Sequence, residues 1–253
     1  MIPELLIKHL GTKSTFAGIG ASKLNGKECK ELMLISLCMI LSGHKCASGA
    51  AICADNSFEF GARVGYDFIF GRDKQAFKDY SIVFTGYLPW PGFNLRPNNK
   101  EFPIINLDEA KKYTSHFHPV FDKLNERVAL LMARNAMQIL GESLRKKVGS
   151  VICSTKDGAN KINQISSKTG GTGQGLRIAC ANNIRIFNNQ NPEDKLRLKN
   201  WVEEFCDRFT LTHGHDPRIL LNEALKVFKP QTPEVNGDLI KMLKNDEIDV
   251  ILH

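Results

Sequence analysis

The sequence predicts an α/β fold: a doubly wound, mainly parallel sheet with a small helical extension at the C-terminal end. Three observations predict it. Short apolar runs end repeatedly in glycine, serine or threonine and lead into apolar stretches of helical length, and strand–turn–helix in repetition is how parallel sheets with helical crossovers are built. The pattern changes after NQNPEDK, beyond which only helical segments follow. The 253 residues suit one large domain, with no internal repeat or low-complexity segment.

The elements follow in order. Thr15 to Ile19 reads as a strand ending in the turn GIGAS, and Cys29 to Leu41 as a buried helix. Lys45 to Ala47 is a second strand, Ser48 to Ala51 its turn, and Asp55 to Ala62 the next helix. YDFIFG and YSIVFTGYLPW are both rich in strand formers; the second is the better strand, and a loop follows from Pro89 to Pro103. Leu107 to Gly141 is helical, divided near Pro119. SVICST is a strand, SSKTGGTGQG a loop, GLRIACANN a helix and IRIFN the last strand. Residues 1–195 are thus expected to form a Rossmann-like domain, and 196–253 a helical extension with a polar tail packed on it.

Composition narrows the class. No apolar run is long enough to span a bilayer, so no membrane partner is expected, and the N-terminus lacks the features of a secretory signal. A cytoplasmic location is expected. The seven cysteines are odd in number, lie mostly in apolar segments and include no C-x-x-C pair, which suggests reduced core residues. Net charge is +7, favouring polyanionic or phosphorylated partners.

Four turns carry the chemistry: GIGAS (18–22), SGAAICAD (48–55), STKDGA (154–159) and TGGTGQG (169–175). Each puts glycine and hydroxyl residues where a strand stops and a helix starts. Glycine admits close approach of a ligand, and a helix N-terminus offers free N–H groups and partial positive charge, a combination suited to phosphate. At the carboxyl ends of a parallel sheet the four turns should share one crevice. None matches a P-loop, and GIGAS lacks the full G-x-G-x-x-G spacing, which excludes an ordinary nucleoside triphosphatase or dehydrogenase; no cofactor is expected.

In the order GIGAS, CASGAAICADNSFEFGA, IVFTGYLPWPGFN, RNAMQILGESL, SVICSTKDG and TGGTGQGLRIACANNIRIFN, the chain from about residue 13 to 190 resembles the SLOG superfamily. This Rossmann-like group includes DNA-processing protein A, the lonely-guy phosphoribohydrolases and nucleotide-sensing domains of bacterial defence. The similarity is close to small members often carried by phages, implying a host-cytoplasmic protein if the chain is phage-encoded. SGAAICAD resembles the S-G-x-A-x-G-x-D signature of the DNA-processing branch, with Cys53 in place of a glycine. The resemblance implies binding roles for Ser48, Gly49, Ala50 and Asp55, and for Arg134 and Asn135, which match that branch's arginine–asparagine pair; Arg134 also matches an arginine of the lonely-guy motif. Glu59 falls where relatives have a helix residue facing the crevice.

With the turns themselves, the expected phosphate- and ligand-binding set is Gly18, Gly20, Ala21, Ser48, Gly49, Ala50, Asp55, Arg134, Asn135, Thr155, Gly170, Gly171, Thr172, Gly173 and Gln174. Lonely-guy enzymes carry P-G-G-x-G-T-x-x-E, whose glutamate assists N-glycosidic cleavage. Aligned on the glycines, this chain has Arg177 there, and an arginine cannot act as a general base. The leading expectation is therefore binding of a nucleotide or nucleotide-derived ligand, for sensing or sequestration. The alternatives are single-stranded DNA binding and an N-glycosidase using Glu59 or Asp157 as its carboxylate.

Secondary signals are HFH (His116, His118) and HGHD (His213 to Asp216), which more often are incidental than metal ligands, so no metal is expected. Trp90 and Phe93 are placed beside the crevice, either as a stacking surface or as loop anchors. KLRLKNW and SLRKKVG are basic runs suited to solvated helix faces or nucleic acid. The helix from Asp122 to Gly141 is a candidate surface for a homo-oligomer.

Overall fold

The computed structural model describes residues 10–71 and 78–227. Five strands, β1 (Thr15–Gly20), β2 (Lys45–Ser48), β3 (Phe84–Gly86), β4 (Ser150–Ser154) and β5 (Arg185–Asn188), form one sheet in the order β3-β2-β1-β4-β5, and every pairing is parallel. The helices are α1 (Gly26–Leu41), α2 (Ala54–Phe70), α3 (Leu107–Ser115), α4 (Glu126–Leu140), α5 (Thr172–Ala181), α6 (Pro192–His213) and α7 (Pro217–Val227). The fold is α/β and Rossmann-like, doubly wound about β1.

The period-two alternation of strand side chains divides the core into two layers. Phe16, Cys46, Phe84 and Ile152 point to one face, where α1, α2 and α6 cover them. Ala17, Ile19, Val151, Cys153 and Ile186 point to the other, against α4 and α5. Gly18 falls on the first face, and a Cβ there would stand 2.5 Å from the Phe58 ring. The bare glycine lets Phe58 lie flat on the sheet, fully buried, a placement contributing about 2–3 kcal/mol. Gly18 is thus a packing residue and not the ligand contact the sequence suggested.

Helix starts are marked by asparagine caps. Asn25 and Glu28 form a capping box on α1, with both bonds at 2.8 Å. Asn125 caps α4, and Asn191 followed by Pro192 opens α6. That cap starts the last long helix before residue 196, so the expected boundary at 195/196 falls inside α6. Leu198, Val202, Phe205, Cys206 and Phe209 of α6 join the core formed by α1 and α2, with Cys206 Sγ 3.7 Å from Cys38 Sγ. The polar tail expected at 230–253 lies outside the described residues.

Two further local expectations are corrected. YDFIFG is not extended: Tyr66 to Phe70 form the last turns of α2. Its strand-forming residues are overridden by packing, because Gly61 and Gly65 let α2 press directly on α1; a Cβ on Gly61 would collide with the Met33 carbonyl oxygen. In the fourth turn the helix begins at Thr172 and not at Gly175, since a 3-10 turn at Ser167–Thr169 delivers the chain already coiled. None of the seven cysteines forms a disulfide, and all but Cys180 are buried. No helix among the described residues is long and apolar enough to cross a membrane.

The close α1–α2 approach is testable. Gly61→Ala should lower stability by about 1–3 kcal/mol, because Cβ meets backbone that cannot rotate away. A urea midpoint unchanged from the parent would show that the two helices separate at no cost.

Candidate functional site

The winding reverses at β1: α1 leaves it toward one face, while α3, α4 and β4 return on the other. Beyond the carboxyl ends of β1 and β4 this opens a crevice of about 420 Å³. All four turns reach it. Gly20, Ala21, Ser22 and Lys23 come from the first, Ala51 and Asp55 from the second, Lys156 from the third, and Lys168 to Thr172 from the fourth. Helix α4 forms the remaining wall with Leu131, Met132, Arg134, Asn135 and Gln138.

At the floor, Asp55 and Arg134 are each over nine-tenths buried and paired, Nη1 to Oδ2 at 3.3 Å. The same Oδ2 accepts the backbone N–H groups of Gly49 (3.1 Å) and Ala51 (3.2 Å), so Asp55 ties the turn after β2 to α4. A Cβ on Gly49 would coincide with the Arg134 guanidinium; only glycine leaves that volume open. Burial pushes the Asp55 carboxyl up from its ordinary range, opposed by the charge of Arg134 and by the two N–H bonds. Arg134 Nε is buried without a partner.

The crevice thus brings together Gly20, Ala21, Asp55, Arg134, Asn135, Gly170, Gly171 and Thr172 of the expected set. Asn135 donates to the Gly171 carbonyl at 3.1 Å and so fixes the fourth turn against α4. Other expected contacts lie behind the lining. Ser48 Oγ donates to the Gly18 carbonyl at 2.6 Å, bracing β2 against β1. Gly49 accommodates Arg134, and Ala50 is fully buried in a left-handed conformation, leaving Ala51 as the alanine of that turn facing the crevice. Thr155 is buried and bonds Asn188 and Asp157. Gly173 packs on Ile165 and Thr169, while Gln174 donates to the Thr114 carbonyl at 3.2 Å, pinning α5 to α3.

Neither proposed catalytic carboxylate lines the crevice. Glu59 is buried between Arg63 (2.9 Å) and Arg96 (2.7 Å), on the side of α2 that meets the 94–102 loop, so both its oxygens are committed to ion pairs. Asp157 accepts from Thr155 at 2.9 Å and Thr169 at 2.5 Å. Burial pushes its carboxyl up, but those hydroxyls and the Ala159 N–H outweigh it and hold the group below its ordinary range. Its role is to tie the third turn to the fourth, beside Lys156.

The residues sequence reasoning missed are Lys23, Lys156, Lys168, Met132 and Gln138. The lysines sit inside or beside the quoted turns, and Gln138 lies four residues after Arg134, hence on the same face of α4. Either relation is a usable signal. With Arg134, the lysines set four basic groups against the single carboxylate of Asp55 around one crevice. Helices α2 and α5 begin there on Cys53 and Gly171 with no side-chain cap. The backbone N–H groups of Gly171 and Thr172 have no partner among the described residues.

Arg177 does not line the crevice; together with burial, its charge lowers the His118 imidazole. Phe93 lies 5.9 Å beneath the Arg134 guanidinium and Trp90 packs edge-on to Phe93, so this pair anchors the loop behind the floor. Among the described residues no group of three or more His, Cys, Asp or Glu side chains converges as a metal site. No protein-family model, curated protein or solved structure matches this chain.

Removing the arginine should expose the cost of the buried carboxylate. In Arg134→Met nothing opposes the burial of Asp55, its folded pKa rises further, and the ionised form is penalised. The expected loss is about 3 kcal/mol at pH 8 and less at pH 5, where protonation of Asp55 relieves it. Urea denaturation at the two pH values reads this directly, and a loss independent of pH would show that Asp55 is not the group affected.

Proposed function

We propose that the crevice binds a nucleotide or nucleotide-derived ligand, with the phosphate held at its mouth. The observation that carries this reading is the convergence of all four strand-end turns on one crevice whose exposed rim is Lys23, Lys156 and Lys168 and whose wall includes the uncapped start of α5. A phosphate there meets the free N–H groups of Gly171 and Thr172, the favourable end of a helix dipole and three ammonium groups. The resemblance of the turns to the SLOG superfamily supports the same ligand class.

Binding is favoured over turnover. Arg177 stands where lonely-guy enzymes carry their glutamate, Glu59 is consumed by two arginines, and Asp157 is consumed by the hydroxyls it orients. A protein that holds a nucleotide without a free carboxylate at the scissile bond suits sensing or sequestration of a nucleotide signal.

Isothermal titration of the purified chain with mononucleotides, dinucleotides, cyclic oligonucleotides and short single-stranded DNA tests the reading. A saturable small-ligand response is expected, weakened about tenfold by Lys156→Ala or Lys168→Ala through loss of one charge-assisted contact, with little change in thermal stability because both lysines are exposed. Response to DNA alone, with affinity falling steeply as salt rises, would replace this reading with backbone binding of single strands.

A further inference from the structure

The mouth of the crevice is strongly basic, but its floor is not. Asp55 and Arg134 cancel in charge, and the next polar group on that face of α4 is the neutral amide of Gln138. All three side chains are over nine-tenths buried. None uses its full hydrogen-bonding capacity within the described residues. The three bonds to Asp55 all fall on Oδ2, leaving Oδ1 without a partner. Arg134 commits only Nη1, leaving Nη2 and Nε. Gln138 makes no hydrogen bond at all, although its amide borders the space that Gly49 leaves open; a Cβ on Gly49 would lie 2.8 Å from Nε2. The amide lines the crevice without a protein partner, and a ligand group that both donates and accepts can take both of its positions.

We propose that this floor is a vicinal-diol subsite, so that the ligand is a ribonucleotide lying phosphate outward and sugar inward. A hydroxyl can donate to Asp55 Oδ1 while accepting from Arg134, and its neighbour can donate to and accept from the Gln138 amide. The charge division supports this orientation. An anionic group on the floor would face Asp55 at close range, whereas at the mouth it faces three lysines, and the neighbouring Asp157 carboxylate is taken up by the Thr155 and Thr169 hydroxyls. A neutral group able to donate and accept is what the floor lacks, and a sugar diol supplies it. Gln138 then becomes a specificity-determining residue, because a site built to bond a hydroxyl strongly rejects the analogue without it.

The inference rests on the nucleotide reading of the crevice, and its test separates the two. The full chain is titrated calorimetrically with the four ribonucleoside 5′-monophosphates and their four 2′-deoxy counterparts. The best ribonucleotide should bind at least ~10-fold tighter than its deoxy partner, through loss of hydrogen bonds to buried groups. Gln138→Met keeps the side-chain volume and removes the amide; it should bring that ratio to within about threefold, whereas Lys156→Ala weakens both members of the pair alike and leaves the ratio intact. Equal binding of ribo and deoxy forms by the parent overturns the diol floor and leaves the crevice a nucleotide site. A ratio that survives Gln138→Met, in protein melting with the parent, overturns the role of Gln138. Absence of saturable binding by any of the eight overturns both readings.

Discussion

The reversal of winding at β1 is the constraint on which the rest depends. A parallel strand must be reached by a crossover, crossovers are right-handed, and a chain that builds outward first to β2 and β3 and then to β4 and β5 must place its helices on opposite faces. The helices following β1 and β2 therefore depart to one side and those entering β4 and leaving it lie on the other, so nothing covers the strand ends between them. The crevice is the space left by this topology, not a hollow carved by side chains. What the sequence adds is the furnishing of that gap: small residues where backbone must come close, and asparagine caps on α1, α4 and α6. The helices α2 and α5, which start at the gap, carry no side-chain cap.

Asp55 links this geometry to the chemistry. One oxygen of a carboxylate in the first turn of α2 gathers two N–H groups of the turn after β2 and a guanidinium from α4, joining elements from both faces of the sheet. Burying such a group is unfavourable in itself, and the upward push on its carboxyl reflects that cost. The pair is retained because it fixes the floor. Replacing both partners with apolar groups would remove the penalty, but also an ion pair that holds the turn after β2 against α4.

Much of the fold was legible in the sequence because its signals are local. Strand, glycine turn and helix follow one another within short windows, and the strands expected near residues 15, 46, 83, 151 and 186 all lie within or next to observed ones. The failures have a common origin in contacts between distant segments. Tyr66 to Phe70 carry strand-forming side chains, but the glycine face of α2 against α1 decides the matter. Gly18 and Ser48 read as phosphate contacts because turn glycines and serines look alike in sequence; Phe58 packing on one and a β2-to-β1 hydrogen bond from the other assign them to the core. Glu59 and Asp157 were attractive as unpaired acids, and their partners lie two to thirty-seven positions away. Composition cannot reveal that a carboxylate has been spent.

On the nucleotide reading proposed above, the crevice separates two tasks that a single charged pocket cannot perform together. Recruitment of an anion needs uncompensated positive charge near solvent, where the ammonium groups remain hydrated when the site is empty and cost little to maintain. Selection among anions of equal charge needs groups that are dehydrated beforehand, because only there does a missing hydroxyl leave a partner unsatisfied. Lys23, Lys156 and Lys168 are exposed, whereas Asp55, Arg134 and Gln138 are buried. Asp157 joins the two tasks mechanically. By accepting from Thr155 and Thr169 it holds together the loops that bear Lys156 and Lys168, so the rim is set at a fixed height above the floor. In the proposed binding mode, a ligand whose phosphate and sugar are separated by that height would satisfy both sets of groups at once, and one with the same charge and a different length would engage the rim and leave the floor empty.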